Sequence, residues 1–385
     1  MVVPVAKQLA TEDSVDIQVL GLTTAANVVK TAQLSLLQFS DFLDLSVDQD
    51  AISVGHRLAA SSTNAEVTSG ESAAYLGLSY CDLVGRVGAE EAENLYSRLG
   101  RQAFLPISVL KRVIDRVSPD LVVITNSPRA ERAAAICAKA RGIPVVCIVD
   151  LFATDEVQWL ATNDYADAFC VLNEYVKEFL INSGCPRERV HVTGNPAFDR
   201  LQAPHLRSDG LKLRQRVGWD NKQVLLWPCV DEPSLNPFDG LKGDTSAPTR
   251  ALCEIVAFCL SQRDVILCVR PRPGYPVPNL PMDPRIFVTG FEWDLAELLH
   301  AVDLAIVMNS TVALEAHLAG VRVIKVLGSV YDRSMPLVEH GIADCETPIS
   351  NIQSELATRV GLSKLPVPMF SAGTNKVLEV IKQFL

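Results

Sequence analysis

The sequence predicts an α/β protein built from two doubly wound, Rossmann-like domains that face a central cleft. Strand-like apolar runs alternate with helix-like segments along most of the 385 residues. This alternation is typical of parallel sheets with helices on both faces. A basic and polar stretch from Pro204 to Gly218 interrupts it once, and we interpret that stretch as a linker. The length also suits two domains of ordinary size.

The first domain is predicted to span residues 1–203. Its clearest unit covers residues 119–150, where a strand (121–125), a helix (about 129–140, ended by Gly142) and a second strand (145–149) form a βαβ crossover. Around this unit the pattern predicts a strand at 14–23, helices over 89–117 with a break at Pro106, a strand at 168–172, a helix at 174–182, and the segment 189–201.

The start of the chain departs from this pattern. VVPVAKQLATED predicts a helix, whereas a domain of this kind usually begins with a strand. Either the first strand lies outside this sequence, or MVVPV forms a stub of it.

The second domain is predicted over residues 204–365, with a last amphipathic helix in residues 366–385 that packs back across the domains. A proline-rich segment follows the strand at 264–270 and is unsuited to regular structure. The other predicted elements are strands at 223–229, 286–289, 303–308 and 321–326, and helices at 249–261, 292–300 and 311–319.

Composition excludes several classes of protein. The net charge is −10 and no block of Lys or Arg dominates, which argues against nucleic acid as a partner. The ten cysteines contain no C-x-x-C pair, so we expect reduced thiols in the cytoplasm rather than a zinc site. No apolar run is long enough to span a membrane, and any work at a membrane is expected from its surface, at the inner face.

The stretch VMNSTVALEAHLAG (307–320) carries polar residues where a buried strand meets a helix. Ligands of open α/β sheets bind at the carboxyl ends of strands, and helix N-termini there suit phosphate. We therefore interpret Asn309, Ser310 and Thr311 as donor-binding residues. Helix capping alone is the alternative and accounts for one of them. Glu315 lies four residues after Thr311, on the same helix face, where its carboxylate can accept ribose hydroxyls.

A second candidate site is CVRPRPGYP (268–276). Arg270 ends a predicted strand, and Arg272 and Gly274 follow in a loop stiffened by prolines. Two guanidinium groups at a strand end suit a diphosphate, because Arg binds phosphate bidentately. Two solvated loop arginines are the alternative. A third candidate is the turn Gly194-Asn195 in VTGNPAFD, which is otherwise an ordinary turn.

In this order and spacing, VTGNPAFD, RPRPG and NSTVALEAHLAGVRVIKV resemble the two-domain glycosyltransferases of the GT-B fold, in particular those of bacterial capsule and surface-polysaccharide synthesis. They also share a pattern with UDP-N-acetylglucosamine 2-epimerases. The resemblance covers residues 119–330. It implies that Ser310, Thr311 and Glu315 bind nucleotide phosphate and ribose, and that Arg270 and Pro273 bind the diphosphate.

Several departures favour a transferase over an epimerase. Arg272 stands where the family usually has histidine and cannot donate a proton at neutral pH. The epimerases show Gly-Asp-Thr where this chain has Thr125-Asn126-Ser127, and His-Val-Glu-Ala-Gly where it has residues 148–152. The acidic pair that moves a proton at carbon 2 is therefore not reproduced at these positions.

Glycosyl transfer needs charge neutralisation at the leaving group and, for inversion, a base. Arg272 with Arg270 suits the first role. Asp150, at the end of a strand, is our candidate for the base, unless it is a loop or capping acid. Acids near it are Asp155 and Glu156, and His56 is a weaker candidate. Predicted acceptor-side groups are Asn126, Ser127, Arg129 and Glu131, of which the last two also suit a solvated helical turn. The sequence does not decide whether Asp231 and Glu232 repel a diphosphate, orient Arg270 or help to hold a metal.

The sequence thus predicts a cytoplasmic glycosyltransferase that moves a sugar from a nucleotide-sugar donor to a saccharide or lipid-linked acceptor, without an essential metal or cofactor. A nucleotide-sugar 2-epimerase or hydrolase of the same fold is the first alternative. A non-catalytic nucleotide-binding regulator or scaffold is the second.

Overall fold

The structure is a computed structural model that describes residues 1–22, 25–60, 69–162, 164–272, 277–290, 292–367 and 372–385. Its contacts divide the chain into two units. The N-terminal unit comprises Met1–Ala197 with Ser371–Leu385, and the C-terminal unit comprises Phe198–Phe370. Both are α/β units with parallel sheets, which confirms the predicted α/β class with two Rossmann-like domains.

The N-terminal unit contains a four-stranded parallel sheet in the order β3-β4-β5-β6 and a separate parallel pair, β1-β2. Its elements are α1 (Val2–Leu9), β1 (Gln18–Leu20), α2 (Ala25–Thr31), β2 (Ser35–Leu37), α3 (Gln49–Ala59), α4 (Ser69–Val87), α5 (Ala89–Leu99), α6 (Ile107–Val117), β3 (Val122–Thr125), α7 (Ala130–Lys139), β4 (Val145–Ile148), α8 (Val157–Leu160), β5 (Ala168–Val171), α9 (Glu174–Asn182) and β6 (Val190–Val192). The last helix of the chain, which takes the number α15 (Gly373–Ile381), also belongs to this unit.

The C-terminal unit contains a six-stranded parallel sheet in the order β12-β11-β10-β7-β8-β9. Its elements are α10 (Leu206–Val217), β7 (Gln223–Pro228), α11 (Ala247–Ser261), β8 (Val265–Arg270), β9 (Ile286–Val288), α12 (Leu295–Ala301), β10 (Leu304–Val307), α13 (Val312–Leu318), β11 (Arg322–Leu327), β12 (Cys345–Pro348) and α14 (Ile352–Arg359). A 3-10 helix, Pro196–Gln202, precedes them in the chain.

Apolar runs explain why these segments form central strands. Every residue of β4, β5 and β10 is buried, as expected for parallel strands that are covered on both faces. In the N-terminal unit, α1 and α15 cover one face of the sheet: Val5 and Leu9 share a core with Val377 and Ile381. In the βαβ crossover, Gly142 has φ 70°, a left-handed conformation that glycine adopts without strain, and it follows the end of α7 as predicted.

Two predictions of local structure are wrong. The stub MVVPV is not a strand, because residues 2–9 form α1. The predicted linker 204–218 is mostly helical, since α10 spans Leu206–Val217. The apolar stripe of α10 is narrow and includes the buried residues Leu206 and Leu213. Polar contacts also hold the helix in place, because Arg214 donates to the carbonyl of Ala301 at 2.8 Å and pairs with Asp303 at 2.9 Å.

All ten cysteines are free thiols. Within the described ranges, no helix has both the length and the apolar character that crossing a membrane requires.

Candidate functional site

The candidate residues of the C-terminal unit lie at, or follow, the carboxyl ends of three adjacent strands, β10, β7 and β8. Arg270 is the last residue of β8, and its guanidinium donates to the carbonyl of Trp293 at 3.1 Å. Burial lowers the pKa of Arg270, while the charges of Asp294 and Glu315 oppose that shift. Arg270 therefore presents a half-buried, fixed cation to this edge of the sheet.

Arg272 is placed differently from Arg270. Its side chain is 54% exposed and pairs with Asp231 at 3.4 Å. Asp231 thus offsets the charge of Arg272 rather than that of Arg270. The neighbouring loop residues Pro273 and Gly274, predicted to take part in diphosphate binding, lie outside the described residues.

The turn after β10 is largely occupied with internal hydrogen bonds. The Asn309 amide donates to the Asp231 carbonyl at 3.1 Å, to Glu232 Oε2 at 3.1 Å and to Ser329 Oγ at 3.2 Å. Ser310 Oγ accepts from the Val312 amide at 3.3 Å, and Thr311 occupies the N-cap position of α13 without a side-chain capping bond. α13 itself is a short helix of seven residues.

Glu232 is a structural anchor. It is 5% exposed, and its carboxylate accepts from Ser329 Oγ at 2.7 Å and from the Val330 amide at 2.6 Å, besides the bond from Asn309. A buried carboxylate with several donors is well satisfied. Glu232 thereby ties together the loops after β7, β10 and β11, which explains a residue whose role the sequence leaves open.

Glu315 lies on α13 with its side chain 13% exposed. Its Oε1 accepts from Arg200 Nη2 at 3.2 Å, and Arg200 Nη1 lies 3.5 Å from Asp294 Oδ2. Burial raises the pKa of Glu315, while the hydrogen bond and charge of Arg200 and the charge of Arg270 oppose the shift. Glu315 therefore lies within the field of two guanidinium groups.

Arg200 is a functional candidate that sequence reasoning missed. It comes from the 3-10 helix Pro196–Gln202, 115 residues before Glu315 in the chain. A contact across that separation leaves no local signal. A basic residue directly after the VTGNPAFD segment is the only hint the sequence offers.

In the N-terminal unit, Asp150 follows β4 and is held by two buried asparagines. Its backbone amide donates to Asn126 Oδ1 at 2.8 Å. Asn195 Nδ2 donates to the Asp150 carbonyl at 3.1 Å and to its Oδ1 at 3.3 Å. The Asp150 side chain reaches solvent, yet desolvation by the surrounding protein raises its pKa. An exposed, oriented carboxyl with a raised pKa is suited to proton transfer.

Two further carboxyl groups surround the Asn126 turn. Burial raises the pKa of Glu156 to about 7, and the Asn126 side chain hydrogen-bonds to it. Burial also raises the pKa of Glu131, which accepts from Thr125 Oγ1 and, at 3.2 Å, from the Ser127 amide. The charge of Asp150 raises the pKa of both. The structure thus brings three acids together.

The remaining predicted residues frame this turn or lie elsewhere. Arg129 is half-buried at the N-cap of α7, and Gly194 has φ 78° just before Asn195. His56 is exposed on α3, a helix that packs on α4. The predicted cluster of Asn126, Ser127, Arg129 and Glu131 is therefore one local turn, and Glu156 belongs with it.

Comparisons with known proteins point to one kind of enzyme. The family model for UDP-N-acetylglucosamine 2-epimerase matches residues 92–227. A comparison with curated proteins gives no match. The solved UDP-GlcNAc 2-epimerase of Neisseria meningitidis, bound to UDP-GlcNAc, is similar over 99% of this chain and 96% of that one, with a TM-score of 0.60 and 12% identity.

Two other solved structures are similar in the same way. A structure of MnaA with UDP from S. aureus matches 100% of this chain and 92% of its own, with a TM-score of 0.60 and 13% identity. A putative UDP-N-acetylglucosamine 2-epimerase from Listeria monocytogenes matches 99% and 92%, with a TM-score of 0.59 and 14% identity. At such identities the likeness shows a shared fold.

These comparisons correct the functional prediction. The glycosyltransferase assignment is wrong, because both the family model and the similar structures are of 2-epimerases. The pattern shared with those epimerases, noted in the sequence, is confirmed. The prediction rested on residue types at two motif positions, although one of those stretches contains Asp150 and the structure places Glu131 and Glu156 around the same turn.

Proposed function

We propose that this protein is a UDP-sugar 2-epimerase, an enzyme that inverts carbon 2 of the sugar in a UDP-N-acetylhexosamine such as UDP-N-acetylglucosamine. The observation that carries the proposal is the set of three carboxyl groups with raised pKa at the Asn126 turn. It stands in a chain whose fold is shared with structures of such epimerases.

The chemistry explains why carboxyl groups are needed. Inversion requires removal of the hydrogen on carbon 2 and return of a proton to the opposite face. That hydrogen becomes acidic when the bond from carbon 1 to the diphosphate breaks. The proton then passes to a carboxylate, the C–H electron pair forms a C1–C2 double bond, and the C–O pair leaves with UDP. Reversal of these steps with a proton from the other face gives the epimer.

Proton transfer in both directions needs an ionised and a protonated acid at working pH. We assign Asp150 and Glu156 to these roles. A pKa of about 7 keeps both forms of Glu156 populated near neutral pH. Asn126 orients both groups, since it accepts from the Asp150 amide and hydrogen-bonds to Glu156.

Asn126 itself cannot exchange a proton, although it stands where the epimerases carry the aspartate of Gly-Asp-Thr. Glu131, four residues after Ser127, lies under the same turn. We assign it a supporting role, because the charge of Asp150 raises the pKa of Glu131 and the two carboxyl groups therefore disfavour each other's ionisation.

For the nucleotide, we assign ribose to Glu315 and the diphosphate to Arg270. A leaving UDP carries negative charge, and a fixed cation at this edge stabilises it. An acceptor, which a transferase would need, has no role in this reaction. We keep the cytoplasm as the proposed compartment, because free thiols persist under reducing conditions.

The test is incubation of the protein with UDP-N-acetylglucosamine alone in D2O, followed by NMR. We expect the carbon-2 epimer with deuterium at carbon 2. UDP and free sugar without deuterium would identify a hydrolase instead. An unchanged substrate would overturn the proposal.

Variants locate the reaction within the molecule. Asp150→Asn and Glu156→Gln should each lower kcat by at least about a hundredfold, the scale of a lost acid or base, with UDP affinity retained. The matched control is Glu188→Gln, a change at an exposed glutamate of the same unit, which should react at the parent rate.

A further inference from the structure

Two arginines compete for the negative groups at the nucleotide edge of the C-terminal unit. Arg270 ends β8 and is hydrogen-bonded to the carbonyl of Trp293. Arg200 contacts two acids at once, Glu315 at 3.2 Å and Asp294 at 3.5 Å. The charges of Glu315, Asp294 and Arg200 all act on the pKa of Arg270, so the four groups form one electrostatic cluster.

Arg272, the second cation that the sequence suggests for the diphosphate, pairs with Asp231 and is not among the charges that act most strongly on Arg270. The cation that joins Arg270 in this cluster is instead Arg200. Its side chain is 51% exposed, whereas that of Glu315 is 13% exposed. The guanidinium therefore covers the carboxylate from the solvent side.

On the basis of the proposed function, we infer that Arg200 is the second diphosphate-binding residue. In the unliganded protein its guanidinium pairs with the Glu315 carboxylate, and a nucleoside diphosphate displaces it from that pair when it binds. Binding exchanges one ion pair for two contacts. Glu315 turns to the ribose hydroxyls, and the guanidinium moves to the diphosphate.

The exchange is physically favourable. Because the Glu315 carboxylate is only 13% exposed, opening the pair has a cost, which the ribose hydroxyls offset in part by donating to the carboxylate. Arginine binds phosphate with two parallel, charge-assisted hydrogen bonds, which are stronger than ordinary ones. Asp294 then remains next to the freed position and limits how far the guanidinium moves.

This arrangement makes a specific demand on ligands. A nucleoside without phosphates must break the Arg200–Glu315 pair and gains nothing from the freed arginine. A nucleoside diphosphate recovers that loss. The pair therefore selects diphosphates over nucleosides at a site where the ribose contact is common to both.

Calorimetry with UDP and with uridine on the parent and on Arg200→Gln tests the inference. We expect the variant to bind UDP about tenfold more weakly, or about 1.4 kcal/mol, and uridine as tightly as the parent or a few times more tightly. UDP binding by the variant should also depend less on salt. Arg200→Lys, which keeps the charge, should recover part of the UDP affinity.

The matched control is Arg272→Gln, which removes an equally exposed arginine. It should lower UDP affinity less than Arg200→Gln does. Equal UDP binding by the parent and Arg200→Gln would overturn the role of Arg200, and so would an equal loss of UDP and uridine. A parent protein that binds no UDP would instead defeat the proposed function, on which this inference rests.

Discussion

At the scale of single residues, the Asn126 turn gathers acids in settings that differ. Asp150 reaches solvent, Glu156 is partly buried with a pKa near 7, and Glu131 accepts two hydrogen bonds from its own turn. Acids whose surroundings set their proton affinities differently can hold different protonation states at one pH. That division is what a two-base inversion at carbon 2 requires.

Glu156 should make stability depend on pH. Its pKa rises from the ordinary 4.5 to about 7 in the folded state. The folded protein therefore holds this proton more tightly than the unfolded chain does. The resulting stabilisation is complete below pH 4.5 and is lost as pH rises through 7.

Glu156→Gln should consequently be as stable as the parent near pH 4.5 and more stable by about 3 kcal/mol at pH 8, since each unit of pKa corresponds to about 1.4 kcal/mol. Urea unfolding of the parent and the variant at both pH values measures this. A difference that is the same at the two pH values would show that the Glu156 pKa is not raised.

Glu315 permits a second prediction at this scale. Glu315→Gln should weaken the binding of both UDP and uridine by about 1–3 kcal/mol, the usual range for losing a charged hydrogen-bond partner. Both ligands are affected because both carry the ribose. Calorimetry with the two ligands measures the loss. Glu339→Gln, at an exposed acid of the same unit, is the control. A loss confined to UDP would place Glu315 at the phosphates instead.

At the scale of elements, glycines allow the close contact between α3 and α4. A Cβ at Gly55 of α3 would lie 2.0 Å from the Ala73 carbonyl oxygen, and one at Gly77 of α4 would lie 1.8 Å from that of Ala51. Neither oxygen can yield, since both belong to helical backbone. The two glycines thus set how closely α3 and α4 approach each other.

Gly77→Ala should therefore destabilise the protein by about 3 kcal/mol, at the upper end of ordinary overpacking. Gly85→Ala, in the same helix, places its Cβ in open space and should stabilise by about 0.5–1 kcal/mol, because alanine is the better helix former. Thermal unfolding of the parent and both variants measures these changes in stability. Similar effects in the two would mean that α3 and α4 are not in close contact at Gly77.

The elements also show which sequence signals are reliable. β4 and β10 follow from uninterrupted apolar runs, because a strand buried on both faces needs no other information. At 14–23 the predicted strand is longer than the observed one, because within described residues 14–22 only Gln18–Leu20 pair with β2. α10 was missed because its sequence is polar, and its stability comes from Arg214 contacts to groups about 90 residues away.

At the scale of the whole molecule, the sequence predicts the fold better than the site. Alternating strands and helices are repeated local signals, so the two parallel α/β units follow from them. Arg200 with Glu315, and Asn126 with Glu156, are pairs that only the folded chain brings together. The sequence also leaves the roles of Asp231 and Glu232 open, because these roles depend on the partners that the folded chain supplies: Arg272 for Asp231, and Ser329 and Val330 for Glu232. The predicted domain limits at residues 203 and 365 stay predictions.

The proposed division of roles predicts how UDP alone affects the protein. The C-terminal unit carries the assigned ribose and diphosphate contacts, while the N-terminal unit carries the proton-transfer acids. UDP should therefore slow amide hydrogen exchange around residues 200, 270 and 309–315, where ligand contacts lower the frequency of local opening. The Asn126 turn should exchange at its unliganded rate, because UDP lacks the sugar on which the acids act.

Hydrogen exchange measured by mass spectrometry, with UDP at about a hundred times its Kd, tests this division. At that excess, binding stabilises the folded state by about 2.7 kcal/mol, which should slow exchange in the contacted segments by roughly a hundredfold. GDP is the control ligand and should protect less, because the proposed function is specific for UDP-linked sugars. Protection confined to the Asn126 turn would reverse the assignment of nucleotide and proton transfer to the two units.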